Sequence, residues 1–297
     1  MSCPFLKEAR VKYCAKSAIR KMIPIAGNVA QEICSLPRYR ECSVYRGGAL
    51  DSREPQCPHL RESTAEYCAA AAVSRLIPAT QPLLSRCGSD AHRYCDVFLG
   101  AANRTGAETI GGILMPSWLC YSANHMWLDA AESGCCYLGL DAFLIRVLGT
   151  VERITFLRQT AVHRPCAVLT VRGVDLELIF PHPLLLTGTN LYLRANAAKL
   201  TSDPYGRGWL FQGVQPPGCT PVDSGLIRGD AIPLWIEREI GRMSAFLSEC
   251  GISRHGGTVM NDGGVFGPDV LAHLSREETL RLFHEFFWGL REIEDGQ

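Results

Sequence analysis

Apolar positions change their spacing twice along this chain. In the first hundred residues they come in short runs. VKYCAKSAIRKMI (11–23) and EYCAAAAVSRLI (66–77) read as short helices ended by Pro24 and Pro78. From about residue 113 the pattern shifts to short β segments. Val168–Val171 makes one strand, and Val174, Leu176 and Leu178 alternate with Asp175 and Glu177, as in a strand buried on one side. Between them Arg172-Gly173 suits a two-residue hairpin turn. Past Pro216-Pro217-Gly218 the period becomes helical, with Trp235, Ile236, Ile240, Met243 and Leu247 on one face. Ser275 and Glu278 form a capping box ahead of a last helix. Its apolar face carries Leu280, Phe283, Phe286 and Phe287, followed by Trp288. The pattern predicts an α+β multi-domain chain: a small helical region over 1–99, a β domain over 113–215 and a helical extension over 225–297. A Gly/Ala/Thr-rich linker from Gly100 to Gly112 precedes the β domain.

The first part is a duplication, with copies at 3–45 and 57–98. One begins CPFLKEARVKYC and the other CPHLRESTAEYC. Cys3, Cys14, Cys34 and Cys42 correspond to Cys57, Cys68, Cys87 and Cys95, with an offset of 54 residues for the first two pairs and 53 for the last two. Pro4/Pro58, Leu6/Leu60, Glu8/Glu62, Tyr13/Tyr67, Pro24/Pro78 and Arg40/Arg93 also match, while most other positions differ. Four thiols in each copy saturate a tetrahedral Zn²⁺ or an iron–sulfur cluster. A segment of this size is also short of core and gains from a staple. The spacing C-x10-C-x19-C-x7-C, with x18 in the second copy, has neither zinc-ribbon knuckles nor a ferredoxin pattern. The expected metal ligands are all eight cysteines, with iron–sulfur favoured over zinc. The structural alternative is two helical hairpins with buried thiols or disulfides.

Composition narrows the setting. The chain has 297 residues and 14 cysteines, and hydrophobic residues make up 47%. It has no apolar run long enough to span a bilayer and no apolar leader at its N-terminus, which predicts a cytoplasmic protein without a membrane role. A reducing compartment argues against a disulfide framework. Net charge is zero overall, but residues 1–48 carry +6 and residues 230–297 carry −6. The second repeat is not basic: residues 49–99 hold five basic and six acidic side chains. A nucleic-acid role is therefore not expected.

The β domain carries several motifs in order. These are His125-Met126-Trp127-Leu128, then Gly139-Leu140-Asp141-Ala142-Phe143 with Leu148-Gly149, then Pro181 and Asn190 nine residues apart. Last come Asp203-Pro204-Tyr205-Gly206 and Gly208-Trp209-Leu210. Over about 100 of the 297 residues this resembles the H protein of the glycine cleavage system. The resemblance implies a lipoyl-type barrel-sandwich fold that presents one lysine at a hairpin tip, to be acylated by lipoate. Counted back from Pro181, that position is Gly173, beside Arg172. An arginine guanidinium stays protonated and cannot replace the amine. The chain has only Lys7, Lys12, Lys16, Lys21 and Lys199, none in the hairpin. No lipoate is expected.

Other candidates carry less. Cys135 and Cys136 are neighbours on a strand and face opposite ways. Cys120, Cys166, Cys219 and Cys250 are isolated, His163 and His182 form a possible surface pair, and Arg254–Gly264 is a glycine-rich turn without phosphate-binding lysine. No Ser/His/Asp, Cys/His or paired-carboxylate constellation emerges, so stand-alone catalysis is not expected. Two readings follow. One is a non-lipoylated H-protein-like accessory protein with two four-cysteine metal centres, acting in electron transfer or docking onto a lipoyl-dependent or redox enzyme. The other is a zinc-stapled adaptor or regulator of lipoyl-dependent enzymes. A glycine cleavage H protein label without carrier activity is the third.

Overall fold

The computed structural model describes residues 2–17, 23–24, 33–46, 54–70, 75–77, 86–101, 107–130, 134–157, 162–216, 225–252 and 266–288. The chain divides into two compact units, Met1–Ala101 and Ala102–Gln297. Pro78, Cys219, residues 102–106 of the Gly/Ala/Thr-rich linker and the Arg254–Gly264 turn lie outside the described residues.

The described parts of the first unit are strands where the local pattern predicts helices; residues 18–22 and 71–74 of the expected helices lie outside the described residues. β1 (Leu6–Cys14) pairs antiparallel with β3 (Leu60–Cys68) along its whole length. Short strands β2 (Ile23–Pro24) and β4 (Arg75–Ile77) flank them, giving the order β2-β1-β3-β4. The physical reason is tertiary. A short helix is marginal by itself, whereas nine paired residues satisfy a full ladder and bury Val11 completely. Lys12 faces Glu62 across the ladder, with an ion pair of 3.7 Å. Arg10 lies opposite Thr64, its own counterpart in the other repeat, so the pair is related by an approximate twofold through this point. Each copy then turns through short 3₁₀ segments, Ile33–Ser35 and Pro37–Glu41 in one, Arg86–Gly88 and Asp90–Tyr94 in the other. Each ends in a short helix, α1 (Ser43–Arg46) and α2 (Asp96–Ala101).

The second unit begins with a hairpin, β5 (Ala107–Ile110) and β6 (Ile113–Pro116), so the end of the expected linker is strand and turn. A five-stranded sheet has the order β13-β14-β9-β8-β7, from β7 (Cys120–Tyr121), β8 (Met126–Ala130), β9 (Cys135–Leu140), β13 (Leu185–Thr189) and β14 (Phe211–Val214). A three-stranded sheet joins β10 (Arg153–Leu157), β11 (Cys166–Val171) and β12 (Val174–Ile179). Phe156 of β10 meets Phe211 of β14 edge-on, with ring centroids 5.5 Å apart, so the inner faces of the two sheets share a core. Helix α3 (Ala142–Leu148) follows β9, and α4 (Tyr192–Ala195) and α5 (Ala198–Ser202) lie between β13 and β14.

The extension is helical as its period predicts. Helix α6 (Ala231–Glu249) buries Ile232, Ile236, Met243, Phe246 and Leu247, and α7 (Arg276–Phe286) starts at the expected Ser275–Glu278 capping box. Phe283, Phe286 and Phe287 are buried, but Leu280 is exposed: it sits one position off the stripe that Thr279, Leu282 and Phe283 define. Among the described residues no helix is long and apolar enough to cross a membrane.

Candidate functional site

The hairpin tip forms as the alternation predicts. Val171 pairs with Val174, leaving Arg172 and Gly173 as a two-residue turn with φ of 51° and 71°. Positive φ at both positions matches the right-handed twist of the strands, which is why glycine is favoured there. A Cβ at Gly173 would meet nothing within 4 Å. The Gly173 N–H donates to Glu152 Oε2 at 3.4 Å, and Arg172 Nη1 lies 4.0 Å from Asp269 Oδ2 in the extension. Sequence reasoning passed over Asp269, whose left-handed backbone (φ 59°) places its carboxyl against Gly149. A Cβ at Gly149 would collide with that carboxylate, so the glycine admits the extension to the tip side of the β domain.

The motif residues of the β domain act as fold determinants. Asp141 caps α3, accepting from the Leu144 N–H at 2.9 Å. Buried Asn190 donates from Nδ2 to the carbonyls of Arg207 and Trp209, both at 2.8 Å. Asp203 Oδ2 accepts from the Arg207 N–H at 2.9 Å. Tyr205 donates to the Leu114 carbonyl at 2.7 Å and accepts from the Ala142 N–H at 2.8 Å.

His125 forms a centre that spacing alone did not reveal. It is fully buried, with φ of 63°. Its ring stacks on Phe143 (4.2 Å) and on Trp235 of α6 (4.9 Å). Nδ1 is 2.7 Å from Asp141 Oδ2, and Nε2 is 3.6 Å from Glu239 Oε2. Arg242 Nη1 reaches both Glu239 oxygens at 2.7 Å. Burial by itself lowers the imidazole pKa, but Asp141 first and Glu239 after it reverse this and push it up to about 9. Burial would raise the Glu239 pKa, and His125 followed by Arg242 brings it below its ordinary value. Two carboxylates, an imidazolium and a guanidinium thus balance one another, and the group clamps α6 to the β domain.

The eight repeated cysteines all lie among the described residues, and no disulfide joins them. Cys3 and Cys57 are buried; the other six are partly exposed. The Cys3 N–H donates to the Cys87 carbonyl at 2.8 Å, and the Cys57 N–H donates to the Cys34 carbonyl at 2.9 Å. The Cys87 thiol pKa is raised by burial and then by the charges of Cys3, Cys95 and Cys68, so three other thiols stand near it. Four thiolates are a chemically fitting donor set for zinc or an iron–sulfur cluster. Among the described residues, however, no three His, Cys, Asp or Glu side chains already converge at ligand spacing.

Of the other cysteines, Cys166 is held as the neutral thiol. Burial, with a hydrogen bond to Glu177 at 3.2 Å, pushes its thiol up to about 12, which makes it unreactive. Cys136 is buried and Cys135 half-buried, on opposite faces of β9 as expected. His163 pairs through its backbone with Leu184, which places His182 two residues along the neighbouring segment.

No protein-family model matches the chain. The glycine cleavage system H protein of Halorhodospira halophila is 27% identical over 112 residues, covering 37% of this chain and 85% of that protein. That of Aeromonas hydrophila is 26% identical over 101 residues, covering 33% of this chain and 78% of that protein. A crystal structure of the glycine cleavage system H protein from Mycobacterium marinum aligns with a TM-score of 0.32 and 20% sequence identity, covering 42% of this chain and 98% of that one. The chain therefore contains an H-protein-like region that spans about a third of its length.

Proposed function

We propose that this protein is a non-lipoylated, H-protein-like accessory protein in which the duplicated cysteine unit holds two four-thiolate metal centres. Iron–sulfur is favoured over zinc, and the H-like region serves to dock onto a partner, a lipoyl-dependent or redox enzyme. The observation that carries the reading is the duplicated set of four thiols, none of them joined in a disulfide. The lysine-free tip at Arg172-Gly173 supports the non-carrier half of it. An iron–sulfur cluster, when bound, supplies one-electron transfer without making or breaking bonds in the protein. The chain's own part is to provide thiolates, to limit water access at Cys3 and Cys57, and to present the β domain to the partner.

A zinc-stapled adaptor is the second reading. What favours it is the size of each repeat, short of core by itself, and the burial of Cys3 and Cys57 beside Val11, Tyr39, Ala91 and Tyr94 among the described residues. A domain of this size gains from a staple.

Iron, zinc and acid-labile sulfide in anaerobically purified full-length protein test both readings. About eight iron and eight sulfide per chain are expected for two four-iron clusters, and about two zinc without sulfide for the adaptor. Neither metal at any significant level would overturn both. The intact mass should carry no lipoyl adduct.

A further inference from the structure

We propose that the two four-cysteine sites are exchanged between the repeats: one is made by Cys3 with Cys68, Cys87 and Cys95, the other by Cys57 with Cys14, Cys34 and Cys42. This deepens the metal-centre reading and rests on it, but it makes a separate claim about which thiols belong together.

The backbone carries the argument. The sequence repeat groups Cys3 with Cys14, Cys34 and Cys42. The β1·β3 ladder instead sets Leu6 opposite Cys68 and Cys14 opposite Leu60. A turn from the Cys3 carbonyl to the Leu6 N–H (3.0 Å) brings Cys3 back beside that end of the ladder, and the same turn joins Cys57 to Leu60 (3.0 Å). Cys3 is therefore at the Cys68 end and Cys57 at the Cys14 end. Nine strand residues separate the two ends at roughly 3.3 Å each, about 30 Å for the full strand, too far for one ion to bridge.

The 3₁₀ segments supply the remaining ligands, and they follow the same exchange. Cys3 donates its N–H to Cys87 of the second repeat, and Cys57 donates to Cys34 of the first. Cys95 and Cys42 close equivalent turns, onto the carbonyls of His92 and Tyr39, each at 3.0 Å. Aromatic packing around the sites agrees. Phe5 of the first copy meets Phe98 of the second, while His59, its counterpart, meets Tyr45 of the first. Within each lobe, His92 meets Phe98 and Tyr39 meets Tyr45, both at 4.9 Å.

Each lobe thus takes one cysteine from one repeat and three from the other. A bound ion would be held by the four thiols of one lobe as thiolates, their protons released to solvent. Neither repeat completes a site without its twin.

Zinc loading of the reduced full-length protein, followed by removal of unbound ion, distinguishes exchanged from unexchanged sets. The wild type should retain two zinc per chain. Cys3→Ala with Cys68→Ala, two ligands of one exchanged set, should retain one. Cys3→Ala with Cys14→Ala, which strikes both sets, should retain none. The opposite ranking of the double variants would overturn the exchange while leaving the metal reading standing. A wild type that takes no zinc and purifies without iron would overturn the metal reading. Mild oxidation of the metal-free protein with peptide mapping then decides the grouping by itself, and also decides it if both variants unfold. Disulfides from Cys3 to Cys68, Cys87 or Cys95, and from Cys57 to Cys14, Cys34 or Cys42, are expected. Dominant Cys3–Cys14 and Cys57–Cys68 linkages would overturn the proposal.

Discussion

His125 is sandwiched between Phe143 and Trp235 and held by Asp141 and Glu239, so its proton is part of the fold. The folded pKa of about 9 lies above the ordinary 6.5. The imidazolium therefore contributes stability that is fully present below about pH 6.5 and is lost as pH rises through about 9. Thermal unfolding of the second unit should move to lower temperature over that window, and His125→Gln should flatten this dependence. A wild type and variant with parallel pH profiles would remove His125 from the account. Glu239→Gln leaves the imidazolium and Arg242 short of one carboxylate in a buried place. It should cost about 3–5 kcal/mol, the range for breaking a buried pair, measured by denaturant unfolding of that unit.

At the scale of elements, the β11–β12 hairpin ends in a two-residue turn, Arg172-Gly173, that offers no amine. Because a Cβ at Gly173 meets open space, Gly173→Lys should fold, with a cost of roughly 1–2 kcal/mol for the positive φ. If the tip has kept its recognition surface, a lipoate ligase should modify Gly173→Lys and leave the wild type untouched, as read by intact mass. Failure of the well-folded variant to be modified would mean that the tip no longer offers that surface. The Arg172–Asp269 pair at 4.0 Å is half-exposed and contributes little energy, so it should not block access.

For the whole molecule, two compact units imply two separable unfolding events. If the repeated cysteines hold metal as proposed, chelation should abolish or sharply lower the transition of the first unit. The His125-dependent transition of the second unit should persist unchanged. A single transition that responds to both chelator and His125→Gln would refute this independence. Differential scanning calorimetry with and without chelator reads both events in one sample.

The sequence by itself determined the duplication, the lysine-free hairpin, the helical extension and its capping box. Each of these is written locally: a repeated spacing, an alternation around Arg172-Gly173, a 3.6-residue period, the Ser275–Glu278 pair. It also carried the order of motifs that matches H proteins. Only the tertiary structure decided that Leu6–Cys14 and Leu60–Cys68 are strands, since Val11 and Tyr13 fit either period and the choice is made by pairing with the other copy. For the same reason the linear order of cysteines does not give their neighbours: an antiparallel ladder places the start of one strand beside the end of the other. The His125 cluster was hidden as well, because Asp141, Glu239 and Trp235 are distant in sequence and their charges acquire meaning only when burial removes the water between them.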